Sequence, residues 1–257
     1  MIEILWIVFG GVLTVTGLTY ALWGWWNRHE KCLAGQSVVR LVACGAVTAL
    51  WAWPVTLMSY PFGLGKWRWH SREATSGASP WVVLVHGVYH NRSAWLFFAR
   101  WLRLAGYRNV GTWSYWSWGT DFWALSRELA ADLRRLHRES GYGVVCIGHS
   151  MGGLLLRAAL SELACTQEET EVAKAVITLG APHQGSRLAG MGSGRLARSL
   201  AFRGRLITAL EAQEQQCRPR LTRVAAVVSP ADNMVVPYTG LLPGARWEVL
   251  ARWHIKG

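Results

Sequence analysis

Charge is scarce in this chain: 16% of its 257 residues are Asp, Glu, Lys or Arg, against 51% hydrophobic. With a mean hydropathy of +0.15, that shortage excludes an ordinary soluble domain as the whole description and directs attention to membrane segments. Acidic residues are the scarcer sign, 15 against 27 Lys and Arg, leaving a net charge of +12. Such a balance suits an anionic membrane surface or an anionic substrate. Nucleic acid is the other usual partner of a basic chain, but no helix-turn-helix, zinc-finger or RNA-binding signature is present, so none is expected. Cysteines number five. Cys32 and Cys44 lie in the apolar N-terminal region, Cys146 sits in an apolar run, and only Cys165 and Cys217 are left to meet. Their spacing reads as neither a disulfide framework nor a metal site. No histidine stands at ligand spacing from Cys or Asp, so neither a metal nor a cofactor is expected. No internal repeat and no low-complexity tract occurs.

What is present begins with two uncharged stretches, Ile4–Trp26 and Leu41–Gly65. Each reaches the ~20 apolar residues that cross a bilayer. Trp23, Trp25 and Trp26 crowd the end of the first, where amphipathic rings favour the headgroup layer. A signal peptide would want a basic start, a shorter run and a small-residue cleavage site, and Glu3 with no early Lys or Arg argues against one. The reading is a transmembrane hairpin in residues 1–65, with spans near 4–26 and 41–62, in a plasma or inner membrane. Arg28, Lys31 and Arg40 mark the connecting loop as cytoplasmic, whereas Lys66, Arg68 and Arg72 argue the reverse. The N-terminus tips the balance towards an exported C-terminal part.

Residues 66–80, "KWRWHSREATSGASP", change composition abruptly and read as a linker to a domain over 81–257. Six short apolar runs follow, at 81–86, 109–115, 143–148, 175–180, 223–228 and 247–251. They are continuous rather than alternating, as strands covered on both faces are. Between them stand helical patterns. Leu125, Leu129, Leu133 and Leu136 recur at three or four residues with Arg and Glu between them. This alternation predicts an α/β fold, a mostly parallel sheet with helices on both faces.

One polar residue is oddly placed. In "YGVVCIGHSMGGLLLRAAL", Ser150 ends an apolar strand pattern and opens a helical one, with Gly148 and Gly152 two residues to either side. A nucleophile on a sharp strand-to-helix turn needs neighbours without side chains, and the helix N-terminus faces developing negative charge. Ser150 is therefore the candidate nucleophile. A serine hydroxyl needs a base, and the base an orienting acid.

At these residues the sequence resembles the α/β-hydrolase family, in its lipase and esterase branch. "VLVHG" (83–87) is similar to the family's strand and oxyanion loop, and "GHSMGGLLLR" (148–157) to its nucleophile elbow. "TLGAPHQGS" (178–186), "SPADNMVVP" (229–237) and the final "RWHIKG" follow in the family's order. The resemblance implies a triad of Ser150, Asp232 and His254, with Glu248 the poorer acid. It also implies an oxyanion hole from the backbone N–H of Met151 and of Val88 or Tyr89. His86 is expected to brace the oxyanion loop, while His90 and His149 read as loop and elbow residues.

"GTWSYWSWGTDFW" (111–123) sets several tryptophans just past a strand end. Trp113, Trp116 and Trp118, with His183, are the candidate substrate-binding residues; half of those rings are equally readable as core. Residues 187–222 form a short cap, a basic helix that either lies on an anionic bilayer or covers the domain with its apolar side. The expected function is a membrane-anchored serine hydrolase of carboxylic, lipid-like esters, whose partners are the ester or lipid substrate and membrane lipids. Acyl transfer and thioester cleavage would use the same triad, and a catalytically silent membrane-bound binding or scaffold protein is the alternative outside enzymes. Oligomeric state is not legible.

Overall fold

Short runs of Val, Leu and Ile with no room for a polar face have to be covered on both sides, and the computed structural model shows how. It describes residues 2–30, 33, 35–64, 80–220, 223–245 and 247–251, with residues 2–8 and 251 as backbone alone. Most of the expected linker and His254 lie outside the described residues.

The six runs form one sheet. Its strands are β1 (Val82–Val85), β2 (Val110–Trp113), β3 (Val144–His149), β4 (Ala173–Leu179), β5 (Val224–Val228) and β6 (Glu248–Ala251). Their order is β2-β1-β3-β4-β5-β6, and every pair is parallel. All six strands therefore end at one edge, which is where open parallel sheets hold their functional groups.

Helices cover both faces. α4 (Phe122–Ser140) turns Leu125, Leu129, Leu133 and Leu136 inward, is capped by Asp121 and stops at Gly141, whose φ is 73°. α5 (Met151–Cys165) is buried along most of its length. Together they enclose the larger core with Val83, Val85, Cys146 and Val176. On the other face α3 (Leu96–Leu104) closes a smaller core of Val82, Leu84, Trp95, Ala99, Val110 and Ile147.

The cap is built from two helices rather than one. After the four-residue α6 (Glu169–Val172) and β4 come α7 (Gly194–Ser199) and α8 (Arg205–Cys217). The chain breaks between them at Ala201–Gly204, where Arg203 adopts a φ of 48°. α8 buries Leu206, Ile207 and Leu210, so its apolar side covers the domain. A disulfide joins Cys165 at the end of α5 to Cys217 at the end of α8. The buried Arg157 adds a bidentate ion pair to Glu214, Nε at 3.0 Å and Nη2 at 2.7 Å.

Two long helices precede the sheet, α1 (Ile2–Asn27) and α2 (Val38–Ser59). Among the described residues, one helix, Val38–Gly63, is long and apolar enough to cross a membrane. The two-span hairpin expected from the sequence thus has support for one of its spans. Tyr20 and Trp23 of α1 pack with Leu41, Val42 and Ala46 of α2 around Val236 of the α/β domain.

Candidate active site

Ser150 stands where β3 gives way to α5, with φ 52° and ψ −125°. That backbone region is unfavourable for any side chain, and its presence between a buried strand and a buried helix marks a position held by its surroundings. The flanking glycines supply the room. A Cβ on Gly148 would lie 2.7 Å from Gly152 backbone, and one on Gly152 would lie 2.3 Å from Val85 O. Ser150 N–H donates to Leu179 O at 2.9 Å, fixing the turn to the end of β4. Its hydroxyl is left at the C-terminal edge of the sheet, and the α5 N-terminus begins at Met151.

The loop after β1 closes on the serine: a Cβ on Gly87 would be 2.9 Å from Ser150 Cβ. His86 braces this loop, as expected. Its Nε2 lies 3.2 Å from Tyr115 N–H and 3.1 Å from Ser114 Oγ, and its Nδ1 lies 2.8 Å from Gly87 O. Because the backbone N–H of Tyr115 can only donate, Nε2 is the acceptor and Nδ1 carries the proton to Gly87 O. Tyr115 stacks on the ring at 4.2 Å and donates its hydroxyl to His86 O at 2.9 Å. Burial holds His86 neutral, its pKa lowered to about 4. His149 is lowered to about 4 as well, first by burial and then by His90, whose ring meets it edge-on at 6.0 Å.

Of the two residues expected to alternate as second oxyanion donor, Tyr89 is committed elsewhere. Its N–H donates to Ser117 Oγ at 2.9 Å. Its φ of 62° turns the side chain towards the cap, where the hydroxyl bonds Ser193 O and the ring meets Trp118 at 5.4 Å. Ser117 is the residue the sequence reading passed over, one of two serines in "SYWS" straight after β2.

Asp232 occupies the turn after β5. Oδ1 accepts from the N–H of Met234 at 2.8 Å and of Val235 at 3.0 Å. Oδ2 points towards Gly180 at the end of β4, 3.2 Å from where a Cβ would sit. Burial raises the carboxyl pKa, and those two N–H groups oppose the shift. Ser150 and Asp232 thus flank the same residue pair, Leu179–Gly180, one through its N–H and the other through its carboxylate. β6 runs parallel to β5 and pairs Ala251 with Val228, so it ends at the same edge.

The aromatic candidates separate. Trp116 and Trp118 are exposed beyond β2, and the Trp118 ring is the one that meets Tyr89. Trp113 lies in the core instead: it is fully buried in register with Val85, and its Nε1–H donates to Asp132 Oδ2 at 2.9 Å. Its place on the strand turns it into the core. His183 is also withdrawn from the site. It is fully buried, with Nε2 2.9 Å from Thr178 Oγ1, its carbonyl taken by Arg157 Nη1 at 2.9 Å, and Trp247 packed on the ring at 5.1 Å. Burial and the neighbouring guanidinium keep it neutral. Among the described residues no group of three or more His, Cys, Asp or Glu gathers as a metal site.

Similar proteins share this fold. The mature lipase BlEst2 of Bacillus licheniformis superposes with a TM-score of 0.55 at 19% identity, over 72% of this chain and 89% of that one. Lipase B of Aspergillus fumigatus superposes with a TM-score of 0.57 at 16% identity, over 72% of this chain and 48% of its own. Phospholipase PlaB of Legionella pneumophila in complex with thio-NAD gives 0.51 at 18% identity, over 59% of this chain and 37% of its own. At such identities the likeness is one of fold. No curated protein matches the chain. Residues 82–255 match the model of the alpha/beta hydrolase family, and the chain belongs to that family.

Proposed function

We propose that the chain is a membrane-attached serine hydrolase that cleaves carboxylic esters of lipid-like substrates through an acyl-enzyme on Ser150. The observation that carries this reading is the elbow itself. A serine at φ 52° is held between crowded glycines at the carboxyl edge of a parallel sheet, in a family whose lipase relatives share the fold. Asp232 is the orienting acid and His254 the general base. His254 takes the hydroxyl proton as Oγ bonds the ester carbonyl carbon, then returns it to the departing alcohol. Water activated by the same base then breaks the acyl–Oγ bond. The backbone N–H groups of Met151 and Val88 receive the oxyanion, each worth about 3 kcal/mol to the transition state. Trp116 and Trp118 line the mouth and meet the acyl chain.

Attachment to the membrane runs through the apolar N-terminal helices, of which Val38–Gly63 has the length and composition to enter a bilayer. The Cys165–Cys217 disulfide supports an oxidising compartment for the domain, the exported side.

The test is hydrolysis of p-nitrophenyl butyrate by the full chain in detergent. Ser150→Ala should lower kcat by at least about 10³-fold with an unchanged melting temperature. Turnover near the parent level in a folded variant would overturn the assignment.

A further inference from the structure

The two N-terminal helices are apolar, yet the segment joining them does not stand clear of the hydrolase domain. Asn27 Oδ1 accepts from Tyr238 N–H at 2.6 Å, and Glu30 Oε1 accepts from the Thr239 hydroxyl at 3.2 Å. Further back on α1, Thr19 Oγ1 accepts from Asn233 Nδ2 at 2.8 Å, and Tyr20 donates to Ala231 O at 3.0 Å. α2 begins on the same surface, with Leu41, Val42 and Ala46 packed around Val236. It also ends on the domain. In the tight turn Tyr60–Gly63 that follows it, Tyr60 O accepts from Asn91 Nδ2 at 3.0 Å.

α2 has 22 residues, so its ends are about 33 Å apart at 1.5 Å per residue. That distance is the thickness of a bilayer core, ~30 Å. A helix crossing at right angles would put its two ends on opposite sides. A domain bonded to both ends would then lie at bilayer depth, where its lipid-facing loops would have no partners for their backbone groups. The contacts fit a helix lying along the membrane instead.

A second apolar face continues this one. Asn91, which holds Tyr60, also accepts from Ser93 N–H at 2.9 Å and so caps the turn Arg92–Trp95 that runs into α3. α3 turns Ala99 inward, but Leu96, Phe97, Trp101 and Leu104 face outward, Trp101 at 66% and Leu104 at 74% exposure. On α2 and its terminal turn, Trp51, Met58 and Phe62 are as exposed, at 74%, 76% and 74%. A soluble surface rarely leaves so many large apolar side chains together. Exposed Arg100, Arg103 and Arg108 flank the α3 face, on a chain of net charge +12. Arginines bordering Leu, Phe and Trp are the pattern of a helix seated at the headgroup boundary of anionic lipid.

We propose that α2, the Tyr60–Gly63 turn and α3 form one continuous face that seats in a single leaflet of an anionic phospholipid bilayer, the helical hairpin lying in the membrane plane instead of crossing twice. This rests on the membrane attachment proposed above and is independent of the ester chemistry. The helix-joining loop is then on the same side as the hydrolase domain, and α3 is buried in lipid.

The full chain, with Cys32 and Cys44 replaced by serine, is reconstituted into sealed phosphatidylglycerol–phosphatidylcholine vesicles. Cys146 is fully buried and Cys165 and Cys217 are paired, so single cysteines report alone. His29→Cys in the loop should react with an impermeant maleimide as completely as Glu139→Cys on α4. Trp101→Cys carrying an NBD label should be quenched at least twofold by doxyl-labelled lipid. Protection of His29→Cys until the vesicles are opened, with Glu139→Cys reactive, would overturn the in-plane seating and leave the membrane attachment standing. An NBD label that lipid does not quench, or that self-quenches with a second copy of the chain, would overturn the α3 contact. Failure of the chain to float with vesicles would overturn the membrane attachment and this proposal with it.

Discussion

Gly152 shows how closely the position of Ser150 is set by its neighbours. Because the missing Cβ would meet Val85 O at 2.3 Å, Gly152→Ala forces the elbow away from β1. We expect a loss of about 1–3 kcal/mol by thermal melting and at least a tenfold drop in esterase activity. Gly190→Ala, where no atom lies within 4 Å, should leave the activity unaltered. His86 sets a pH dependence. Its folded pKa of about 4 lies below the unfolded 6.5, so the unfolded chain binds the proton first. The stability it contributes is whole above pH 6.5 and is lost as pH falls towards 4, on the order of 3 kcal/mol from this group. Urea unfolding between those pH values should show this slope added to those of His90, His149 and His183, whose pKa values burial lowers too. His86→Gln should reduce the total by this group's share; an unchanged slope would place the titration elsewhere. The place of Ser150 on a strand-to-helix turn was legible because strand, glycine, serine and helix adjoin in the sequence. Trp113 and His183 were not, because which way a strand residue faces, and which buried partner a loop histidine finds, depends on Asp132 and Arg157, remote along the chain.

Among the elements, all six strands were readable, since covering both faces of a parallel sheet leaves uninterrupted apolar runs. The cap was harder. Its basic residues 195–205 read as one helix, whereas the chain breaks at Ala201–Gly204 into two that both bury apolar residues, and α8 carries a covalent tie as well. The tie is the Cys165–Cys217 bond, closing a separation of 52 residues, and the spacing alone gave no sign of it. Loop-closure entropy assigns it about 4 kcal/mol. The Cys165→Ser/Cys217→Ser double variant should lose stability on that scale in urea, with α8 amides exchanging fastest. Arg157→Met should cost about 3–5 kcal/mol by leaving Glu214 without its partner. Arg157→Met combined with Glu214→Leu should recover much of it.

For the whole molecule, composition raised the expectation of a membrane before any motif did. It did not announce how the helices meet the domain, because a hydropathy window measures length and not orientation. The contacts from Asn27, Tyr20 and Tyr60 carry that information, and each joins residues far apart in sequence. The catalytic role proposed for the chain nevertheless depends on an activated serine. Its most direct measurement is reaction of the full chain in detergent with a fluorophosphonate, read by intact mass beside Ser150→Ala. A single adduct that disappears in the variant is the predicted result. A folded protein that forms no adduct, or keeps it without Ser150, would rule out Ser150 as the nucleophile.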